Sequence, residues 1–236
     1  MKAYVLMLSA VAVVCMGCGT KEAKDKSTSA AIVPDTVVAI APYTTFTDHR
    51  DGKVYKKITI DKQTWMAENL NYATKGSVCY ENKEENCAKY GRLYTWNDAI
   101  SACPAGWHLP LDDEWATLEN FVGGKDIACK KLRATNGWSF IGVRGVCDTY
   151  RDTGEDGFGV ICARNVTDEY GFSALPGGSS SGGNFSSAGS RGYWWSATER
   201  DVYYAWNRYM FCGNEYVGRN YVNKTGLFSV RCVQDN

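Results

Sequence analysis

Ten cysteines and two histidines are the side chains of this 236-residue chain with the widest chemical range. Cys79, Cys87, Cys103, Cys129, Cys147, Cys162, Cys212 and Cys232 are scattered at irregular spacings, and Cys15 and Cys18 stand near the start. In an oxidising compartment an even set of this kind reads as a disulfide framework, in which sulfur holds structure together. The alternative, a zinc site, needs ligand pairs a few residues apart. No CxxC pair occurs, and His49 and His108 lie far from any cysteine pair of ligand spacing. His108 could move protons near neutral pH. The competing reading is a buried imidazole bonded to backbone. The chain has no GxSxG motif, no HExxH motif and no phosphate-binding loop, so it is read as a non-enzyme without a cofactor or metal.

Recognition by rings is the second chemistry on offer. Tyr193, Trp194, Trp195, Tyr203, Tyr204, Trp206, Tyr209, Tyr216 and Tyr221 crowd the C-terminal part, with Arg191, Arg200, Arg208 and Arg219 among them. Aromatic platforms suit the apolar faces of sugar rings or the anchor residues of a protein partner. Strand alternation should bury about half of these rings in the core. Tyr203, Tyr204, Trp206, Arg208 and Tyr209 are the ligand-binding candidates that remain. Asp152, Glu155, Asp156 and Asp168 offer an isolated calcium site, with solvated loop carboxylates as the plainer reading. Lys plus Arg equals Asp plus Glu at 26 each. No net field therefore favours nucleic acid, anionic lipid or an acidic substrate.

The N-terminus places this chemistry outside the cytoplasm. Met1-Lys2 is followed by an apolar run to Val14, too short for a permanent span, which takes roughly 20 residues. Gly17 before Cys18 resembles a lipobox, in which the cysteine receives a lipid, although Cys15 stands where Leu or Val is usual. Residues 1–17 are thus read as a lipoprotein signal peptide and Cys18 as the lipidation site. Residues 18–42 form a lipid-anchored tether, since 19–31 carry no large apolar side chain. Residues 43–236 form the globular domain. The membrane partner is reached through lipid at Cys18, in the cell envelope and at its outer membrane.

The elements that must position the candidates follow from periodicity. Val54, Ile58 and Ile60 alternate with Tyr55, Lys57 and Thr59 as in a half-buried strand, and Gln63–Met66 returns as a second strand after Asp61-Lys62. Thr95 with Asp98 three residues on caps a short helix that Pro104 stops. Trp115, Leu118 and Val122 mark a second helix ended by Gly123-Gly124. No capping side chain stands at Leu111, so Asp112 and Asp113 are expected to satisfy the first-turn amides. Strands are expected at Tyr193–Ala197, Val202–Phe211, Glu215–Val222 and Leu227–Val233, with Phe228, Val230 and Cys232 facing the core. The glycine-rich stretch from Gly137 to Gly192 is long for a compact connection, and loops of this kind carry function.

Several motifs occur together and in order: Thr64-Trp65-Met66-Ala67-Glu68-Asn69-Leu70-Asn71-Tyr72, Tyr90-Gly91-Arg92-Leu93-Tyr94-Thr95-Trp96, Cys103-Pro104-Ala105-Gly106-Trp107-His108-Leu109-Pro110, Gly171-Phe172-Ser173-Ala174-Leu175-Pro176-Gly177-Gly178, Trp194-Trp195-Ser196-Ala197-Thr198-Glu199 and Phe228-Ser229-Val230-Arg231-Cys232-Val233. From about Asp51 to Val233 the chain resembles the Fibrobacter succinogenes major paralogous domain family. The resemblance implies an α+β, C-type-lectin-like fold with two short helices and a looped antiparallel sheet, stapled by disulfides. It also implies chain ends that lie close together and a cysteine at the end of the first helix bonded to one in the final strand, here Cys103 with Cys232. Cys79 and Cys87, eight apart around turn-forming residues, are the expected local pair. Cys147 with Cys162 and Cys129 with Cys212 are then assigned by what remains.

Trp96-Asn97-Asp98 spells the triplet of calcium-dependent lectins but opens a helix here, and no EPN or QPD triplet accompanies it. Formylglycine-generating enzymes share the lectin-like superfold and use reactive cysteines, but their motifs have no match. The expected function is an exported cell-envelope lipoprotein with a non-catalytic binding domain for a polysaccharide, another glycan or an extracellular protein. The alternatives are a structural envelope component without a ligand and, behind it, a cysteine-dependent enzyme.

Overall fold

The structure, a computed structural model, describes residues 43–141, 159–160, 166–211, 213 and 215–235. The expected signal, Cys18 and its tether lie outside the described residues, as do Cys147, Cys162, Cys212, Asp152, Glu155 and Asp156. The described part is α+β.

The expected hairpin forms. Strand β1 (Thr44–Thr47) pairs antiparallel with β2 (Val54–Ile60), and β2 with β3 (Gln63–Met66). Asp61 turns the β2–β3 corner at a φ of 54°, a conformation Asp tolerates better than most residues. The burial of β2 differs from strict alternation. Ile58 and Ile60 are buried on one face, but Tyr55 is buried on the other and Val54 is exposed. The two faces of this strand are covered at opposite ends: Ile58 and Ile60 join the cluster around Trp65, Trp115 and Phe172, whereas Tyr55 joins the cluster around Met66, Leu70 and Trp195.

Among the described residues four α-helices stand where two were expected. After β4 (Ser77–Val78), helix α1 (Glu84–Tyr90) fills the space between Cys79 and Tyr90, burying Cys87 and Tyr90. It is about two turns long, like α2, but Lys83 at its start offers no capping side chain, so the sequence carries no start signal. β5 (Leu93–Tyr94) leads to α2 (Trp96–Ala102), capped as expected by Thr95, whose Oγ1 accepts from the Asp98 amide. β6 (Trp107–His108) precedes α3 (Asp112–Phe121), with Trp115 and Leu118 buried. The start of α3 corrects the capping expectation. The Glu114 carboxylate accepts from the Leu111 amide, and Thr198 Oγ1, from a distant strand, accepts from the Asp112 amide. The Asp112 carboxylate is thereby free for arginines. Helix α4 (Lys125–Leu132) follows at once, burying Ala128, Cys129 and Leu132.

Short pairs β7 (Phe140–Ile141) with β8 (Gly159–Val160) and β9 (Ser179–Ser181) with β10 (Asn184–Ser186) lie in the glycine-rich stretch. β11 (Arg191–Glu199), β12 (Tyr204–Phe211) and β13 (Gly218–Asn223) then form an antiparallel ladder. The expected last strand is split. β14 (Phe228–Ser229) runs parallel to β11, whereas β15 (Val233–Gln234) pairs with β3 and β6. One sheet has the order β13-β12-β11-β14-β5-β4 and the other β1-β2-β3-β15-β6. The first and last strands of the described residues therefore share a sheet.

The crossing segment between the sheets carries the staple. Cys232 is bonded to Cys103 at the end of α2, and Cys79 to Cys87. The expected Cys129–Cys212 bridge is not formed. Cys129 is a free thiol, fully buried in α4, and Cys212 lies outside the described residues. Burial pushes this thiol up to about 11, so it is protonated and inert at neutral pH.

Beside the staple, Arg231 is entirely buried and its guanidinium lies over Phe172. It donates to Asn69 Oδ1, to the Phe172 and Ser173 carbonyls and to the Met66 carbonyl. Trp194 Nε1 donates to the same Asn69 oxygen, and Asn69 Nδ2 to the Tyr90 carbonyl. Burial, the largest influence, pulls the Arg231 pKa down to about 10, which leaves it cationic at neutral pH.

Candidate functional site

The five ligand candidates divide by strand face. Side chains alternate along β12, so Tyr204, Trp206, Arg208 and Met210 point one way and Ala205, Asn207 and Tyr209 the other. The register of β12 with β13 sets Trp206 opposite Tyr221 and Arg208 opposite Arg219. The first face is covered at one end by α3 and open at the other.

At the covered end Arg208 is 1% exposed and is not available to a ligand. Its Nε donates to Glu119 and its Nη1 to Asp112, both at 2.5 Å. Burial raises the Glu119 pKa against the opposing pull of Arg208. Burial also acts upward on Asp112, but hydrogen bonds from Arg219 and Arg208 outweigh it and hold this carboxyl below the usual range. Arg208 thus ties the sheet to α3. A buried charge requires such partners, and these lie 89 and 96 residues away in the chain.

At the open end the rings form a ladder. Arg219 also pairs with Asp112, and its guanidinium carbon lies 3.2 Å from the centre of the Trp206 ring. Trp206 meets Tyr221 edge to face at 5.5 Å, Tyr221 meets Tyr204 edge to face at 5.9 Å, and Arg200 lies 3.3 Å above Tyr221. Tyr203 is 69% exposed and Val202 76% exposed at the turn between β11 and β12. The turn is fixed by Asp201, whose Oδ1 accepts from the Tyr203 and Tyr204 amides. Tyr204 and Trp206 are brought together with three residues absent from the candidate set, Tyr221, Arg200 and Arg219, and Tyr203 stands exposed at the adjoining turn. The period-two pattern of Glu215–Val222 was the available signal for Tyr221 and Arg219, once paired with β12.

Tyr209 lies on the other face. It packs between Tyr193 and Tyr216, and its ring covers Gly218 so closely that any β-carbon there would sit 2.0 Å from Tyr209 Cζ. It is a wedge between strands, half-buried, and not part of the ladder.

The region matching known proteins includes all of these strands. The family model described as the Fibrobacter succinogenes major domain matches residues 58–234. The chain belongs to this family. Its motifs, placed in the structure, mostly build the core of this family member: Asn69, Phe172, Ser173, Trp194 and Arg231 of four motifs meet in the one buried network described above. No curated protein and no solved structure matches the chain.

The remaining chemical candidates have structural partners. His108 is half-exposed and bonded to two carboxylates, not to backbone: Nδ1 contacts Asp235 at 2.6 Å and Nε2 contacts Glu114 at 2.9 Å. Burial acts to lower its pKa most strongly, but the hydrogen bonds to Asp235 and Glu114 together leave it raised. Asp98 holds Thr95 and the Gly76 amide. Asp168 accepts from the amide and hydroxyl of Ser173. Among the described residues the one cluster of ligating side chains is Cys79, Glu84 and Cys87, and its two sulfurs are in a disulfide.

Proposed function

We propose that this family member is an exported cell-envelope lipoprotein, held through lipid at Cys18, whose lectin-like domain is a non-catalytic binding module. The observation that carries the binding role is the surface ladder of Arg219, half-buried Trp206, Tyr221 and Arg200, with Tyr204 beside it and exposed Tyr203 at the adjoining turn. Tyr, Trp and Arg are the side chains that most often anchor protein interfaces, and these are held in place before any partner arrives. Guanidinium groups occupy one face each of Trp206 and Tyr221, the faces that stacking on a sugar would use. This favours an extracellular protein over a glycan at this surface.

The lectin-like reading is supported by the first and last strands sharing a sheet and by the Cys103–Cys232 bond at the end of α2. The envelope reading rests on the sequence of the first 18 residues. Among the described residues no helix is long and apolar enough to cross a membrane. The structural alternative draws its support from Arg208, which is buried, and from Tyr209, which is wedged half-buried between strands. Among the described residues the one free thiol, Cys129, is buried, which supports the binding reading over cysteine chemistry. Fractionation tests the anchor: Cys18→Ala should release the chain into the soluble fraction, and its retention on the membrane would contradict lipidation. A photoreactive residue at Tyr203 tests the surface, with the outcomes given at the close of the Discussion.

A further inference from the structure

Away from the ladder, two adjoining clefts of about 200 and 240 Å³ lie where Ala67–Asn71 runs beside β2. Glu68 and Leu175 line both, so the clefts adjoin across these two side chains, and together they are treated as one groove. Lys53, Asn71, Lys89 and Tyr90 line the first half, and Tyr43, Lys56, Asn136, Asp168 and Ser173 the second. Glu68, Tyr90, Ser173 and Leu175 belong to three of the sequence motifs; Tyr90 and Ser173 give their carbonyls to the buried network, and all four also line the clefts. Residues of three motifs therefore meet at these clefts.

Its chemistry is mixed. Glu68 uses Oε2 to accept from the Lys56 amide, and no hydrogen bond to Oε1 is formed among the described residues. Tyr43 Oη lies 3.0 Å from Ser173 Oγ, which donates to Asp168, so a hydroxyl–hydroxyl–carboxylate relay crosses the second half. Lys53 is already held by Asp51 and the Asn71 carbonyl. Ammonium and carboxylate groups are therefore interspersed, with neither sign free to dominate, and the alkyl surfaces of Leu175, Ala67 and Ala134 lie between them. Each half is below the roughly 300 Å³ at which pockets for drug-sized molecules begin, so each admits one ring. A ligand that meets donors and acceptors alternately, carries no net charge and repeats at ring length satisfies all three features.

We propose that this groove binds a neutral oligosaccharide, with one sugar ring on each side of Leu175 and Glu68. It is a second site, independent of the ladder. The test is calorimetric titration of the full chain with neutral tetrasaccharides, maltotetraose, cellotetraose and chitotetraose, beside tetragalacturonate. At least one neutral sugar should bind. Leu175→Trp, which fills the groove, should weaken it about tenfold or more, and Trp206→Ala should leave it unchanged. Glu68→Gln keeps an oxygen for the Lys56 amide and should weaken binding even where Leu175→Trp perturbs folding. No heat with any neutral sugar at millimolar concentration overturns the proposal. Binding of tetragalacturonate alone, or binding that survives both groove variants, also overturns it. Binding lost only in Trp206→Ala would move the sugar to the ladder.

Discussion

Arg231 and Asn69, 162 residues apart in the chain, meet in the core, where Nη2 of the arginine donates to Oδ1 of the asparagine at 2.9 Å. The same oxygen accepts from Trp194, so a single carboxamide is shared by three of the sequence motifs. Arg231→Met should leave that oxygen and the Phe172 and Ser173 carbonyls short of donors. At about 1–3 kcal/mol for each unsatisfied buried group, the loss should exceed about 3 kcal/mol. Urea unfolding should report it as a lower midpoint at unchanged slope. A variant as stable as the parent would show that the network is dispensable.

The two disulfides should differ in worth. Cys103–Cys232 has a sequence separation of 129 and Cys79–Cys87 one of 8. Loop-closure entropy assigns about 5 kcal/mol to the first and about 2.5 kcal/mol to the second, as upper figures. Paired Cys→Ala variants compared by denaturant midpoint should keep this order. The reverse order would mean that the first bridge constrains little in the unfolded chain.

Cys129 should be silent to thiol reagents in the native protein. Burial pushes it up to about 11 and no part of it is exposed. Iodoacetamide followed by peptide mapping should modify Cys129 only after unfolding. Rapid labelling of the native chain at neutral pH would contradict its placement in α4.

His108 makes stability depend on pH. Its pKa in the folded chain is raised above the model-peptide value of 6.5. The imidazolium between Asp235 and Glu114 therefore contributes its full stabilisation below that value, and the contribution is lost as pH rises through the folded pKa. His108→Gln should flatten the fall in denaturant midpoint that the parent shows above about pH 6.5. An identical pH profile in parent and variant would rule out this role.

Much of the fold was legible in the sequence because it is local. The β2–β3 hairpin, the Thr95 cap, the face of α3 and the β11–β13 ladder follow from alternation, helical spacing and turn residues within a few positions. Helices α1 and α4 were not legible: each is about two turns long with two or three buried side chains, and neither Lys83 nor Gly124 supplies a capping side chain such as Thr95 gives α2. The site was legible in composition but not in facing. Arg208 reads as exposed until Asp112 and Glu119 arrive from α3, and Tyr209 reads as a platform until Gly218 and Tyr193 close on its ring. His108 pairs with Asp235 across 127 residues, a contact no local pattern announces.

The exposed ladder should tolerate substitution in stability and not in binding. Tyr203→Ala should leave the melting transition unchanged, since the ring is 69% exposed, whereas Trp206→Ala should weaken a partner by about 1–3 kcal/mol. A large drop in melting temperature for Tyr203→Ala would make the turn part of the core.

The binding role is tested most directly by photocrosslinking in the native envelope, with a photoreactive residue at Tyr203 or Tyr221, or at exposed Thr59 on the other sheet as control. The ladder should yield one discrete protein adduct from both Tyr203 and Tyr221, none from Thr59, and none from either tyrosine position when Trp206→Ala is added. No adduct at the two tyrosine positions, or the same adducts at all three, would contradict a binding surface there and leave the aromatic residues to the structural role.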